Sequence, residues 1–290
     1  MGYSYIENKT AIKDDKLDID LLSSYKLNIV VSSNEFSFAV IEPESQRCLR
    51  LESFIFPEVY IPGKNDQLLT QIFQDSHLLP AAFWKEVNVF LANRCYTFVP
   101  NSLFDESMGE EFLSYNCEWS SDEQVIGVDK LSDFVVLYGY EKGIVKFFKD
   151  VYPNREVNFK CGMTSIIKAS EQFVNEKESK VFVYFDHSII TVVCYKNGVF
   201  EYCNTFKYSN LDDAVYYVML VYKELNLITT NVSCTIWGNS ESQAQLQSRL
   251  FNYIEKVNLG KRPKSMKMSY HFDEVGESRY FGVLNTAVHE

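Results

Sequence analysis

Three short polar stretches, each bordering apolar runs, carry the side chains of this sequence that could do chemistry. The first is Ser32, Ser33 and Asn34, three side-chain hydrogen-bonding groups in a row within VVSSNEFSF at 30–38. The second is Asp186, His187 and Ser188 within VYFDHSII at 183–190. The third is Gly238, Asn239 and Ser240, which follow Trp237 at the end of an apolar run. Asp, His and Ser invite comparison with a hydrolytic triad. Triad groups, however, meet in space from separate elements, and three adjacent residues cannot take that geometry. A zinc site is equally unsupported: the chain has four His and seven Cys, with no HExxH and no CxxC spacing. Ser, Asn, Asp and Gly are also ordinary turn formers, so a plain structural turn competes with a ligand loop at each place.

The surroundings narrow the chemistry. The formal net charge is −11, from 39 acidic and 28 basic residues, which repels a phosphate backbone unless a basic patch is set apart. The densest basic cluster, Lys261, Arg262, Lys264 and Lys267, reads as a solvated loop, so no nucleic-acid partner is expected. Seven scattered cysteines in strand-like runs fit a reducing compartment better than a disulfide framework. Residues 1–20 are polar, lack an apolar signal core and read as a flexible leader. No run of uncharged apolar residues is long enough to cross a membrane, and a cytoplasmic protein is expected. The 22 Phe and 19 Tyr are read as filling cores and interfaces.

The elements around the three stretches follow a pattern that repeats. Residues 27–32, 35–41 and 47–56 form three strands joined by short turns, an antiparallel meander. Helical spacing follows at Leu68, Leu69, Ile72 and Phe73, then strands at 87–91 and 95–99 and a helix over 102–115. A strand at 133–138, an amphipathic helix at 141–151, a strand at 157–161 and a helix at 163–175 complete the first lobe, assigned to 21–178. The second lobe, 179–290, opens with another meander at 181–185, 189–195 and 199–206, whose last turn holds Asn197 and Gly198, a strong hairpin signal. A helix at 210–225, a strand at 232–237, a helix at 242–257, a strand at 266–270 and a short element at 281–288 follow. The reading is mixed α/β, with a duplicated βββαβα unit.

This order resembles the actin-like ATPase fold, a relative of the ribonuclease-H-like topology, and is most similar to the PilM and GspL cytoplasmic domains. The stretch 28–41 stands where the first phosphate hairpin of that fold belongs, and 181–206 where the second does. VVLYGYEKGIVKFFK at 135–149 with VNFKC at 157–161 is similar to the strand–helix–strand subdomain of PilM-type proteins, and CTIWGNSES at 234–242 lies where the fold contacts adenosine. YTFVPNSLF at 96–104 also resembles a Bacteroidetes family of unknown function with an actin-like ATPase fold.

The resemblance implies a two-lobed molecule whose interlobe cleft takes Mg·ATP in working members. Those hairpins use glycine so that backbone N–H groups approach phosphate oxygens, and acidic residues that hold Mg²⁺. Here the first hairpin has neither Asp nor Gly, and the second keeps Asp186 at the metal-positioning place but has His187 and Ser188 for its glycine. The adenosine loop keeps only Gly238. A non-catalytic scaffold is therefore expected, with no cofactor and a protein partner docked on 133–161 beside Lys146 and Lys149. The alternative is a divergent, slow ATPase using Ser32, Ser33, Asn34, Asp186, His187, Ser188, Gly238, Asn239 and Ser240, with Asp186 on magnesium. A ribonuclease-H-like nuclease is disfavoured, because that chemistry needs carboxylates converging on two metals and the first strand carries none.

Overall fold

A computed structural model describes residues 6–61, 65–92, 94–118, 120, 122–239 and 241–285. It divides into two compact units. The first holds the described residues through Ser165 together with Lys267–His271, and the second holds the described residues of Ile166–Met266 and those from Phe272 to Asn285.

The first unit is built on a six-stranded sheet. Strands β1 (Glu7–Lys13), β2 (Lys26–Val31), β3 (Glu35–Glu42) and β4 (Arg47–Ile55) are followed by helix α1 (Gln67–Asp75) and β5 (Glu86–Leu91). Next come β6 (Tyr96–Pro100), α2 (Gly109–Ser114), β7 (Gln124–Lys130), β8 (Phe134–Glu141), α3 (Lys142–Val151) and β9 (Val157–Cys161), and α4 (Gly162–Glu171) starts in this unit and continues into the residues of the second. The sheet order is β1-β4-β3-β2-β5-β9, antiparallel through the meander and parallel from β2 to β5 to β9. Alternation explains one face: Leu27, Ile29 and Val31 of β2 meet Leu68, Leu69, Ile72 and Phe73 of α1 and Ile144 and Phe148 of α3. The Phe73 ring stands edge-on to Phe147 and Phe148, at 5.2 and 6.0 Å. Each such buried side chain contributes about 1.5–3 kcal/mol.

The second unit repeats the plan. Strands β10 (Lys180–Phe185), β11 (Ile189–Lys196) and β12 (Val199–Lys207) form the meander, followed by α5 (Leu211–Glu224), β13 (Ser233–Trp237), α6 (Gln243–Leu250), β14 (Val257–Leu259) and α7 (Phe281–Asn285). The order β12-β11-β10-β13-β14 is antiparallel within the meander and parallel from β10 to β13 to β14. Ignoring the added edge strand β1, both sheets run third, second, first, fourth, fifth. The duplicated βββαβα unit thus appears as shared topology. Asn197 and Gly198 take positive φ, 53° and 81°, as the β11–β12 turn requires. Asn210 caps α5 by accepting from the Asp212 and Asp213 N–H groups.

Several expectations change. The stretch 1–20, read as a flexible leader, carries β1 paired to β4, with Ile6, Ile12 and Leu17 buried; residues 1–5 lie outside the described ones. Asp14, also buried, receives the Arg47 guanidinium at 2.7 Å. The stretch 133–161 is strand, helix, strand in chain order, but its strands belong to different sheets: β8 sits between β6 and β7, whereas β9 joins the main sheet. The helix expected over 102–115 is two 3₁₀ turns followed by the short α2. The strand expected at 266–270 reduces to one bridge, Lys267 to Arg47. The helix expected over 242–257 ends at Leu250, and β14 starts at Val257. Cys95 and Cys117 form a disulfide, contrary to the all-thiol reading, while Cys48, Cys161, Cys194, Cys203 and Cys234 keep their thiols and are buried. Their spacing of 22 residues gave no pairing signal, and the fold brings the start of β6 to the end of α2.

Candidate functional site

The turn between β2 and β3 consists of Ser32, Ser33 and Asn34. The Ser32 N–H donates to the Glu35 carbonyl at 2.9 Å and closes the turn. The Ser32 hydroxyl accepts from the N–H groups of Asn34 (3.3 Å) and Glu35 (3.0 Å) and donates to the Glu35 carbonyl (3.1 Å). On the other side, the carbonyls of Ser33 and Asn34 accept from the N–H groups of Tyr60 (2.6 Å) and Phe56 (2.9 Å), in the chain leaving β4. The turn is sewn into its own unit from both directions. Glu35 is a residue the sequence reading passed over: its carboxylate is buried, 4% exposed, and accepts from the Ser53 hydroxyl at 2.8 Å. The signal was there, since Glu35 and Ser37 alternate with the core residues Phe36 and Phe38 and so share the opposite, polar face.

The turn between β10 and β11 repeats this closure with other residues. Asp186 N–H donates to the Ile189 carbonyl at 3.0 Å, so Asp186 holds the place of Ser32. Asp186 is buried, 7% exposed, and its Oδ1 accepts from the His187 N–H at 2.9 Å. The His187 Nε2 lies 3.9 Å from the same oxygen, an ion pair when the imidazole is protonated. Tyr208, in the chain leaving β12, donates its hydroxyl to the Asp186 carbonyl and its N–H to the Ser188 carbonyl, the latter at 3.2 Å. As in the first unit, the exit of the third strand holds the turn.

The third stretch follows β13. Gly238 has φ +132°, and a Cβ there would lie 1.9 Å from the Phe185 carbonyl oxygen, so glycine is required by the close approach of the β10 backbone. Its N–H donates to the Ser278 carbonyl at 3.0 Å, and its carbonyl accepts from the Gln243 amide. Asn239 is buried; its side-chain oxygen accepts from the Tyr280 N–H at 2.8 Å, and its carbonyl accepts from Arg279 at 3.2 Å. Ser240 lies outside the described residues. Trp237 is 1% exposed, stacked on Phe281 at 4.0 Å and on Phe182 at 5.1 Å, with its indole N–H on the Lys261 carbonyl at 3.0 Å. Residues 278–281 therefore cover this loop, and the indole face is taken by phenylalanine. A cavity of about 410 Å³ in the same unit lies at the other end of β10, beside Lys177 and Lys196, and not against Asp186 or Gly238.

Chemically, the first unit offers one buried carboxylate beside its turn, Glu35, and the second offers Asp186. Mg²⁺ takes oxygen ligands and often only one or two carboxylates, so Asp186 is the group in the second unit suited to it. In the loop after β13 the Phe185 carbonyl occupies the place a side chain of residue 238 would take, and the adjoining Trp237 is stacked on Phe281. Among the described residues, no helix is long and apolar enough to cross a membrane.

Comparison with solved structures gives the fold. A protein of unknown function with an actin-like ATPase fold from Bacteroides thetaiotaomicron superposes with a TM-score of 0.78 at 19% identity, covering 94% of this chain and 99% of that one. PilM, in the PilM–PilN type IV pilus biogenesis complex, gives 0.56 at 12% identity, covering 91% and 97%. The ethanolamine utilization protein EutJ from Carboxydothermus hydrogenoformans gives 0.51 at 7% identity, covering 96% and 93%. No curated protein matches. The fold is the mixed α/β actin-like ATPase fold, reached from sequence through the order of elements. At the level of sequence, residues 14–257 match the family described as protein of unknown function (DUF3822), and the chain belongs to that family.

Proposed function

We propose that this protein is a nucleotide-independent scaffold that binds a protein partner in the cytoplasm. One observation carries the reading: the loop after β13, where the actin-like fold is expected to contact adenosine, is filled by the chain's own Trp237, Phe281 and Phe185 carbonyl. The turns point the same way, since the N–H groups of Asn34, Glu35 and His187 are directed onto side-chain oxygens of their own turns. PilM, a neighbour in fold, assembles with PilN, which supports a partner-binding role here. The face of α3 that carries the exposed Lys146 and Lys149 is a candidate contact.

Asp186 favours a second reading, a divergent Mg·ATP binder, because a carboxylate is kept at the place where the fold positions its metal. A thermal shift decides between them. A ligand at about 100 times its Kd stabilises the native state by about 2.7 kcal/mol. The scaffold reading expects an unchanged melting temperature with millimolar Mg·ATP; a rise that disappears in Asp186→Asn overturns it.

A further inference from the structure

The connection between β6 and β7, residues 101–123, has a composition unlike the rest of the chain. It carries seven acidic residues, Asp105, Glu106, Glu110, Glu111, Glu118, Asp122 and Glu123, and no basic one. From Cys95 to Glu141 there are ten acidic residues against Lys130 alone, a net −9 in a chain whose total is −11. The same connection turns large apolar side chains to solvent. Leu103 is 67% exposed, Met108 41% and Tyr115 76%, and they flank α2 on both sides. The inner face of α2 is spent, since Leu113 packs with Val99, Val135 and Leu137. The outer face, with Glu110, Glu111 and Ser114, is exposed.

The connection is also held in shape. The Cys95–Cys117 disulfide ties its end to the start of β6. Asn101 N–H donates to the Asp133 carbonyl at 3.0 Å, and Asn116 donates to the Thr97 hydroxyl at 3.0 Å. Tyr115 donates its hydroxyl to Glu111 at 3.1 Å, which sets an exposed ring beside an exposed carboxylate. Exposed apolar groups mark an interaction site where they are gathered together and rimmed by polar residues, and a preformed surface loses less freedom on binding. Uncompensated acid around them selects the occupant through charge complementarity and repels nucleic acid and anionic lipid alike.

We infer that the outer face of α2 and its flanking turns is a docking surface for a lysine- or arginine-rich segment of a partner protein that also carries apolar side chains. This rests on the scaffold reading and names the partner's chemistry.

The test uses the full chain and three fluorescent synthetic peptides of equal length: one of lysine and leucine at helical spacing, one with lysine replaced by glutamate, and one with leucine replaced by serine. Anisotropy is expected to show binding of the lysine–leucine peptide alone, weakening as salt rises. Leu103→Ser with Tyr115→Ser, and separately Glu106→Lys with Glu110→Lys and Glu111→Lys, should each lower the affinity at least tenfold. All five positions are exposed, and melting temperatures matched to wild type confirm the fold of the variants. Asp212→Asn with Glu224→Gln, acids of the second unit, should leave the affinity unchanged. Equal binding by the charge-reversed variant, equal binding of the lysine–serine peptide, or no binding of the lysine–leucine peptide overturns the surface. The Mg·ATP melting experiment is independent: a nucleotide-insensitive protein that ignores the peptide loses this surface and keeps the scaffold reading, whereas stabilisation by Mg·ATP removes that reading itself.

Discussion

Replacing Gly238 by alanine asks why the one glycine left in the third loop is there. If it served a nucleotide, alanine would cost ligand binding and leave the fold alone. The geometry assigns it to the fold. The residue sits at φ +132°, where a side chain is strained at a cost of about 1–3 kcal/mol. The added Cβ would also lie 1.9 Å from the Phe185 oxygen and 2.5 Å from its carbonyl carbon, both backbone atoms. Those atoms cannot swing aside, because the neighbouring Tyr184 is in register with Trp237 where β10 pairs with β13. Relief requires parting the two strands at that end and loosening Trp237 between Phe182 and Phe281. Together these put the destabilisation at about 3 kcal/mol or more, a fall in melting temperature on the order of 10 °C. Circular dichroism melts of Gly238→Ala and wild type measure it. Gly276→Ala is the internal control: it is exposed, and its Cβ would meet nothing within 4 Å, so it should stay within about 0.5 kcal/mol of wild type. A Gly238→Ala protein that melts with wild type refutes the assignment.

The Cys95–Cys117 bond closes a loop with a sequence separation of 22, worth about 3 kcal/mol on the chain-entropy scale. Reduction should speed hydrogen exchange within 101–117 and leave α5 untouched, and an unchanged exchange map would contradict this. Burial pushes the thiols of Cys161, Cys194 and Cys234 up to about 12, so alkylation at about pH 8 should label none of them until the chain is unfolded; rapid native labelling would show them to be accessible. At Asp14, burial on its own raises the carboxyl, but the Lys16 N–H, the Arg47 guanidinium and Ser269 outweigh it and hold the group below the usual carboxylate range. A folded value below the unfolded one gives stability that is present above about pH 4 and lost as pH falls through the folded value. The urea midpoint of wild type should therefore drop more steeply below about pH 4 than that of Asp14→Asn, and parallel acid limbs would refute it.

Much of the fold was legible because its strands are long and apolar and its turns carry turn residues. The two meanders follow from runs such as 27–32 and 181–185, and the β11–β12 turn follows from Asn197 and Gly198. What escaped was short, polar or set by distant partners. Strand β1 reads ENKTAIK and is an edge strand, so its pairing with β4 leaves little hydrophobic trace. β7 reads QVIGVDK, with a glycine at Gly127 where a Cβ would strike the Tyr138 ring on β8. β14 has three residues, too few to show a period. The 133–161 stretch shows a further limit: local pattern gives strand, helix and strand but not which sheet each strand joins. At the candidate site, the turn residues were located, while Glu35 and the covering of Gly238 by residues 278–281 depended on contacts made far along the chain.

The two hairpin turns are held by bonds made within their own units. Both close by one backbone hydrogen bond from the first turn residue to the residue three further on, Ser32 to Glu35 and Asp186 to Ile189. Both are also fastened by the chain leaving the third strand, at Phe56 and Tyr60 in one unit and at Tyr208 in the other. Topology supplies the backbone bonds among these whatever the side chains are, so Ser can stand in one turn where Asp stands in the other, and the Tyr208 hydroxyl adds a side-chain bond in the second. The side chain then decides where the remaining N–H groups go. Ser32 takes two of them and Asp186 takes one. A phosphate seeking the first turn would have to displace a hydroxyl already satisfied on both its accepting and donating sides. Each N–H that moved to phosphate would gain a charge-assisted bond of about 1.5–3 kcal/mol, set against the loss of its bond to the Ser32 hydroxyl. The duplicated topology thus gives both units a turn of the same form, and in the first of them the Ser32 hydroxyl takes up two of the turn's own N–H groups.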